Sequence, residues 1–179
     1  TWAQTSAAPS ATGAAPYPQS RVTLVTHSSP GGGTDLFLRS LSKQLAPLMK
    51  TSFAVENVRG GSGATAMAQV AAGKPDGSIF YGTTPTHIQT SLLSKPSAGW
   101  DALDPIAIVF LDPEVIYARA DSPHKSLADA VNFAKSNPGK ARWGASNPAS
   151  LERIAMERLA RAGGVKVPII SHEGGGDQM

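Results

Sequence analysis

The sequence predicts an α/β fold in which short parallel strands alternate with helices. Four times along the chain, a short apolar segment runs into a loop rich in glycine, serine or threonine that precedes a helix. Strand, polar loop and helix in repetition indicate an open, largely parallel sheet flanked by helices. Ligands of such sheets bind beyond the carboxyl ends of the strands. We therefore expect these loops to converge on one cleft.

The first unit runs from a strand at 22–26 into Pro-Gly-Gly-Gly-Thr-Asp at 30–35. Successive glycines allow a sharp turn and a close approach of the backbone to a ligand. The helix start that follows offers N–H donors and the positive end of the helix dipole to an anion. We expect Thr34 or Asp35 as the N-cap of this helix and Pro47 as the limit of its C-terminal end. Alternatively, the glycines only form a tight turn.

The other three units repeat this order. Strands are expected at 53–55, 79–81 and 141–143, and they lead into loops at 56–63, 82–87 and 144–150. Helices are expected at 64–72 and up to about residue 162, with a last strand near 167–171. The loop at 82–87 carries three hydroxyls and an imidazole, which favours ligand contact.

Motifs for nucleotides, catalytic nucleophiles and metals do not fit these loops. The sequence has no P-loop, and the glycines at 31–33 do not continue as G-x-G-x-x-G. Residues 60–63 approach the G-x-S-x-G nucleophile motif but are followed by Ala64, and the four histidines lack metal-ligand spacing. We therefore expect no catalytic residue, metal or cofactor.

Composition favours a small anion as the ligand. The chain has 179 residues, a net charge of +3 and no cysteine, and its lysines and arginines are scattered rather than clustered. A nucleic-acid partner is therefore not expected. No apolar run approaches the roughly 20 residues of a membrane span.

The first residues suggest export. Thr-Trp-Ala-Gln at 1–4 and the Ala/Ser/Pro/Thr/Gly tract to about residue 15 are typical of the end of a secretory signal followed by a flexible tail. We expect residues 1–20 to be flexible, and the protein to reach the periplasm after a signal peptide is cleaved. An expression scar or a native linker would explain the same residues.

Seven motifs occur in the order expected of a known family. They are Pro-Gly-Gly-Gly-Thr-Asp at 30–35 with Arg39, Val-Glu-Asn-x-x-Gly-x-x-Gly at 55–63, Lys-Pro-Asp-Gly at 74–77, Asp-Pro at 112–113, Ala-Asp-Ser-Pro at 120–123, Asn-Pro-Gly-Lys at 137–140 and His-Glu-Gly-Gly-Gly at 172–176. On these motifs the chain resembles the Bug (Bordetella uptake gene) family. Its members are periplasmic substrate-binding receptors of tripartite tricarboxylate transporters.

The resemblance implies a fold like that of type II periplasmic binding proteins, with two lobes of mixed sheets flanked by helices. It assigns residues 21–103 to part of the first lobe and 104–179 to part of the second, with the C-terminal part missing. It also implies a non-enzymatic receptor that captures a small carboxylate, a di- or tricarboxylate, for the membrane components of the transporter. The main rival is an α/β enzyme that uses the glycine-rich loop to hold a phosphate or carboxylate substrate.

The expected ligand-binding residues lie in the first, third and fourth loops and at the start of the last helix. They are Ser28, Ser29, Gly31, Gly32, Gly33, Thr34, Asp35, Thr84, Thr86, Ser146, Asn147, Ser150 and Arg153. The polar stretch at 27–29 favours a polar or doubly charged ligand over a purely hydrophobic acid.

Several of these residues have a structural alternative. Asp35 would organise its own loop, because a carboxylate repels an anionic ligand. Asn57 would stabilise its own turn, and Arg153 would pair with Glu157 on the helix surface. Helix capping is the alternative for the hydroxyl residues Thr84, Thr86, Ser146 and Ser150.

Overall fold

The computed structural model describes residues 17–111 and 113–172, and within them it has five strands and five α-helices. The strands are β1 (Arg21–Thr26), β2 (Ser52–Asn57), β3 (Ile79–Tyr81), β4 (Trp143–Ala145) and β5 (Ile169–Ser171). The helices are α1 (Gly33–Met49), α2 (Ala64–Ala71), α3 (Thr86–Ser94), α4 (Leu127–Ser136) and α5 (Leu151–Ala162). Most of the expected tail, Asp112 and the loop after His172 lie outside the described residues.

The first sheet has β1 at its centre, with β2 and β3 parallel to it on either side. Successive side chains of β1 point to opposite faces of the sheet. On one face Val22 and Leu24 pack with Leu38 of α1. On the other face Val25 packs with Val70 of α2. Helices therefore cover both faces, as buried parallel sheets require.

The second sheet pairs β4 with β5 in parallel, and Trp143 lies opposite Ile169. Helix α5 connects these two strands. Every ladder among the described residues is parallel, and the predicted α/β class is confirmed. The two sheets share no strand, but the predicted lobe boundary near residue 103 stays a prediction.

Helix α4 was absent from the predicted elements, although the sequence carries its start signal. The Ser126 hydroxyl accepts a hydrogen bond from the Asp129 N–H at 3.1 Å, and the Asp129 carboxylate accepts one from the Ser126 N–H at 2.9 Å. This reciprocal pair is a capping box. Within the described part of the chain, no helix is long and apolar enough to cross a membrane.

Both predicted limits of α1 are wrong. Gly32 is the N-cap, and Asp35 lies inside the first turn, where its carboxylate reaches back to the Gly31 N–H. Pro47 lies inside the helix, which continues to Met49. Proline removes one N–H near the end of the helix. The Lys50 N–H still bonds to a carbonyl of the last turn, so the helix is not broken at Pro47.

Candidate functional site

The loop at 30–35 is organised around the buried carboxylate of Asp35, which is 2% exposed. It accepts hydrogen bonds from the Gly31 N–H at 2.8 Å, Arg39 Nε at 3.0 Å and Asn57 Nδ2 at 2.9 Å. The Arg39 hydrogen bond is the main reason why the pKa of Asp35 falls to about 2. These contacts agree with the loop-organising alternative for Asp35.

Asn57, at the end of β2, ties the neighbouring loop in place rather than its own turn. Its amide donates to the Ser28 carbonyl at 3.0 Å as well as to Asp35. Its side-chain oxygen accepts from Arg39 Nη2 at 3.2 Å. The prediction of a local turn role was wrong because the ends of β1 and β2 lie side by side in the sheet.

The first two glycines of the loop have different functions. Gly31 has a φ of +82°, in the left-handed region that favours glycine. Gly32 has an ordinary φ of −73°, but a Cβ there would lie 2.3 Å from the Ser28 hydroxyl oxygen. Gly31 therefore allows the turn, and Gly32 allows the loop to close on itself.

The second glycine-rich loop, at 60–63, packs against two side chains of the first sheet. Gly63 has a φ of +99°, and a Cβ there would lie 2.9 Å from Tyr81 Oη and 3.3 Å from His27 Cγ. Thr90 of α3 is fully buried and donates to the Ser62 carbonyl at 2.6 Å. Both contacts fix the loop at the carboxyl edge of the sheet.

His27 follows β1 directly, and its Nδ1 lies 2.9 Å from Tyr81 Oη. Burial lowers the pKa of His27, Glu152 acts in the opposite direction, and His87 lowers the pKa further. Burial also raises the pKa of Tyr81 to about 12. Both side chains are therefore neutral at neutral pH when no ligand is bound.

The two threonines predicted in the third loop do not cap α3. Its N-cap is Pro85, without a side-chain hydrogen bond. Thr86 is buried in the first turn, whereas Thr84 is exposed and accepts the His87 N–H at 3.2 Å through its carbonyl. The capping alternative for Thr84 and Thr86 is therefore wrong, because proline already occupies the cap position.

The fourth loop carries the cap of α5. The Ser150 hydroxyl accepts from the Arg153 N–H at 3.1 Å, as the capping alternative predicted. The Ser146 hydroxyl instead donates to the Glu152 carboxylate at 2.8 Å. Asn147 Oδ1 is buried and has no hydrogen-bond partner among the described residues.

Arg153 has protein partners that account for its position. Its Nε lies 2.7 Å from Glu157 Oε1, and its Nη1 donates to the Ile169 carbonyl at 3.2 Å. It lines a groove beside α5 together with Arg161 and Lys166. Its predicted ligand contact stays a prediction, and the pairing with Glu157 is observed.

A cavity of about 730 Å³ brings residues from both sheets together. Its lining includes His27, Arg59 and the loop at 60–63 from the first sheet, and Asn147 and His172 from the second. Glycine-loop N–H groups, a guanidinium and imidazoles are donors suited to an oxyanion. Among the described residues, no group of acidic, histidine or cysteine side chains could hold a metal ion.

Of the predicted site residues, Asn147 alone is among those that line this cavity. The Asp35 carboxylate bonds within its own loop at 30–35. The hydroxyls of Ser146 and Ser150 form hydrogen bonds with residues in the first turn of α5. His27, Arg59 and His172 line the cavity but were not among the predicted site residues. One signal was available, because His27 and the loop at 60–63 both follow strands whose ends meet at one edge.

Comparison with known proteins identifies relatives along most of the chain. A family model described as the tripartite tricarboxylate transporter family receptor matches residues 37–179. A UPF0065 protein of Bordetella pertussis is 29% identical over 164 residues, covering 88% of this chain and 50% of that protein. This chain spans about half the length of the curated relatives it matches.

Solved structures match at the level of the fold. The R. palustris protein Rpa4515, solved with adipate, is 27% identical, with a TM-score of 0.73 over 89% of this chain and 54% of that one. MatC from Rhodopseudomonas palustris, solved with malate, is 23% identical with a TM-score of 0.74, and the match covers 87% of this chain and 54% of that one. At 23% identity, the match to MatC supports the fold alone. Since the family model covers most of the sequence, the chain belongs to the tripartite tricarboxylate transporter receptor family.

Proposed function

We propose that the protein is a receptor that captures a small carboxylate and catalyses no reaction. The observation that carries this proposal is the cavity between the two sheets, where Arg59, His27 and His172 lie beside the loop at 60–63. Cationic and N–H donors form strong hydrogen bonds with carboxylates. The cavity volume of about 730 Å³ is in the range of roughly 300–1,000 Å³ that small-molecule sites occupy.

The cavity favours a ligand with two or more carboxylates. His27 and Arg59 come from the first sheet, whereas Asn147 and His172 come from the second. A ligand with a carboxylate at each end would meet donors on both sides. The structure of the 27% identical relative with adipate, a dicarboxylate, supports this ligand class.

The family supports a proposal for location and partners. We propose that the protein acts in the periplasm after a signal peptide is cleaved, and delivers its ligand to the membrane components of a tripartite tricarboxylate transporter. The family description and a neighbour described as a periplasmic transporter support this proposal. Scattered basic residues give no support for a nucleic-acid partner.

Titration calorimetry with adipate and with hexanoate, which has the same chain length and one carboxylate, tests the ligand class. We expect adipate to bind more tightly. A ligand at about 100 times its Kd should stabilise the fold by roughly 2.7 kcal/mol, which a thermal-shift assay can detect. No response to carboxylates, together with binding or turnover of a nucleotide or sugar phosphate, would favour the alternative that the protein is an α/β enzyme.

A further inference from the structure

Parallel strand pairing brings His27 and Tyr81 together although they are 54 positions apart in the sequence. Tyr81 is the last residue of β3 and pairs with Val25, two residues before His27. The tyrosine hydroxyl lies 2.9 Å from His27 Nδ1. Because Gly63 has no side chain, its backbone can lie close to the Tyr81 hydroxyl and to His27. The tyrosine hydroxyl and the Gly63 backbone therefore both restrain the imidazole.

The hydrogen bond to Tyr81 determines which nitrogen of His27 remains for a ligand. Burial keeps the Tyr81 hydroxyl protonated, with a pKa of about 12, so it can donate to Nδ1. A neutral imidazole that accepts at Nδ1 carries its proton on Nε2. Within residues 17–111 and 113–172, Nε2 makes no hydrogen bond, and His27 lines the cavity.

We propose that His27 is a ligand-contact residue whose Nε2–H meets a carboxylate of the bound ligand, and that Tyr81 is the positioning residue that orients it. This inference rests on the proposed function, and it deepens that function by naming a residue that contacts one carboxylate of the ligand. Neither His27 nor Tyr81 is among the predicted site residues.

Charge around His27 gives the proposal a measurable consequence. Glu152 favours the charged imidazole and His87 disfavours it, while Arg59 and His172 line the same cavity. Burial lowers the pKa of His27, so the imidazole is neutral at neutral pH before a ligand binds. A carboxylate at Nε2 favours the imidazolium form. Ligand binding should therefore take up a proton, and affinity should rise as pH falls.

Calorimetry of adipate binding in two buffers of different ionisation enthalpy measures this proton uptake. For the wild-type protein we expect net uptake, and an affinity that rises as pH falls from about 7.5 to about 6. His27→Asn should weaken adipate binding by about tenfold or more and abolish this pH dependence. The same variant should change hexanoate binding less, since hexanoate offers one carboxylate.

Tyr81→Phe tests the positioning function, because it keeps the aromatic ring and removes only the hydroxyl. We expect a smaller loss of adipate affinity and a shifted pH profile, with the melting temperature little changed. His124→Asn is the matched control, because that ring packs on Phe133 outside the cavity lining. It should leave affinity and pH profile as in the wild type.

Two results separate failure of this inference from failure of the proposed function. If folded His27→Asn and Tyr81→Phe variants bind adipate with wild-type affinity and pH dependence, the inference is overturned and the receptor function stands. If the wild-type protein binds neither adipate nor any other carboxylate at any pH, the proposed function fails and the inference fails with it.

Discussion

Arg39 lies one helical turn after Asp35 and holds its carboxylate with two guanidinium nitrogens, Nε at 3.0 Å and Nη2 at 2.8 Å from Oδ1. The two side chains differ in burial, with 48% of Arg39 exposed and 2% of Asp35. The guanidinium can remain hydrated while it neutralises the buried carboxylate. A buried charge without such a partner would be costly. The first glycine loop therefore depends on this pair.

Asp35 should make stability fall in acid. Its pKa is about 2 in the folded protein, against an ordinary value of 3.8. The resulting stabilisation, roughly 2 kcal/mol, is fully present above about pH 5 and is lost as pH falls through 4 toward 2. The free energy of unfolding, measured with urea at several pH values, should fall less steeply below about pH 5 for Asp35→Asn than for the wild type. The acid limb of its pH profile should therefore be flatter. Asp121→Asn, at an exposed ion pair with Arg119, should change the limb far less, because solvent screens that pair. An identical limb in Asp35→Asn would contradict this account.

Gly32→Val should destabilise the fold rather than act on the ligand directly. The new Cβ would lie 2.3 Å from the Ser28 hydroxyl oxygen and 3.0 Å from the Ser29 carbonyl oxygen. Overpacking of this kind costs about 1–3 kcal/mol. Gly33→Ala is the control, since its Cβ would meet nothing within 4 Å. Chemical denaturation should show a loss for Gly32→Val only. Equal stability of the two variants would show that the loop relaxes around the valine.

Gly63→Ala should weaken adipate binding as well as stability. The added Cβ would push into Tyr81 and His27, and a φ of +99° adds backbone strain of about 1 kcal/mol or more. Gly139→Ala carries a similar strain at φ +78°, but its Cβ meets nothing within 4 Å. We expect both variants to lose stability in denaturant, and only Gly63→Ala to lose affinity in calorimetry. Normal affinity in Gly63→Ala would exclude this loop from the site.

Arg153→Lys distinguishes the two interpretations of that residue. Lysine keeps a charge beside Glu157 but cannot also reach the Ile169 carbonyl as the guanidinium does. We expect adipate affinity to stay within about twofold and stability to fall by roughly 0.5–1 kcal/mol. A tenfold loss of affinity with an unchanged melting temperature would instead assign Arg153 to the ligand.

Local patterns in the sequence were sufficient for the order of strands, loops and helices around the first sheet. The alternating apolar residues of β1 and the helical spacing in α1 are short-range signals, since they depend on residues within one or two turns. The Ser150 cap of α5 was among the alternatives drawn from the sequence, because its hydroxyl bonds three residues ahead. The limits of α1 were predicted wrongly, since Gly32 is its N-cap and Pro47 lies inside it.

The sequence by itself determined that this chain is an α/β protein of a receptor family with polar, glycine-rich loops at its strand ends. Only the tertiary structure decided which loop faces the cavity. The Asp35 carboxylate of the first glycine loop accepts hydrogen bonds from Arg39 and Asn57. Strand pairing places His27 within hydrogen-bond distance of Tyr81. The physical reason is that local hydrogen bonding and periodicity act over a few residues. Strand register joins residues far apart in sequence and is set by burial of both faces of the sheet.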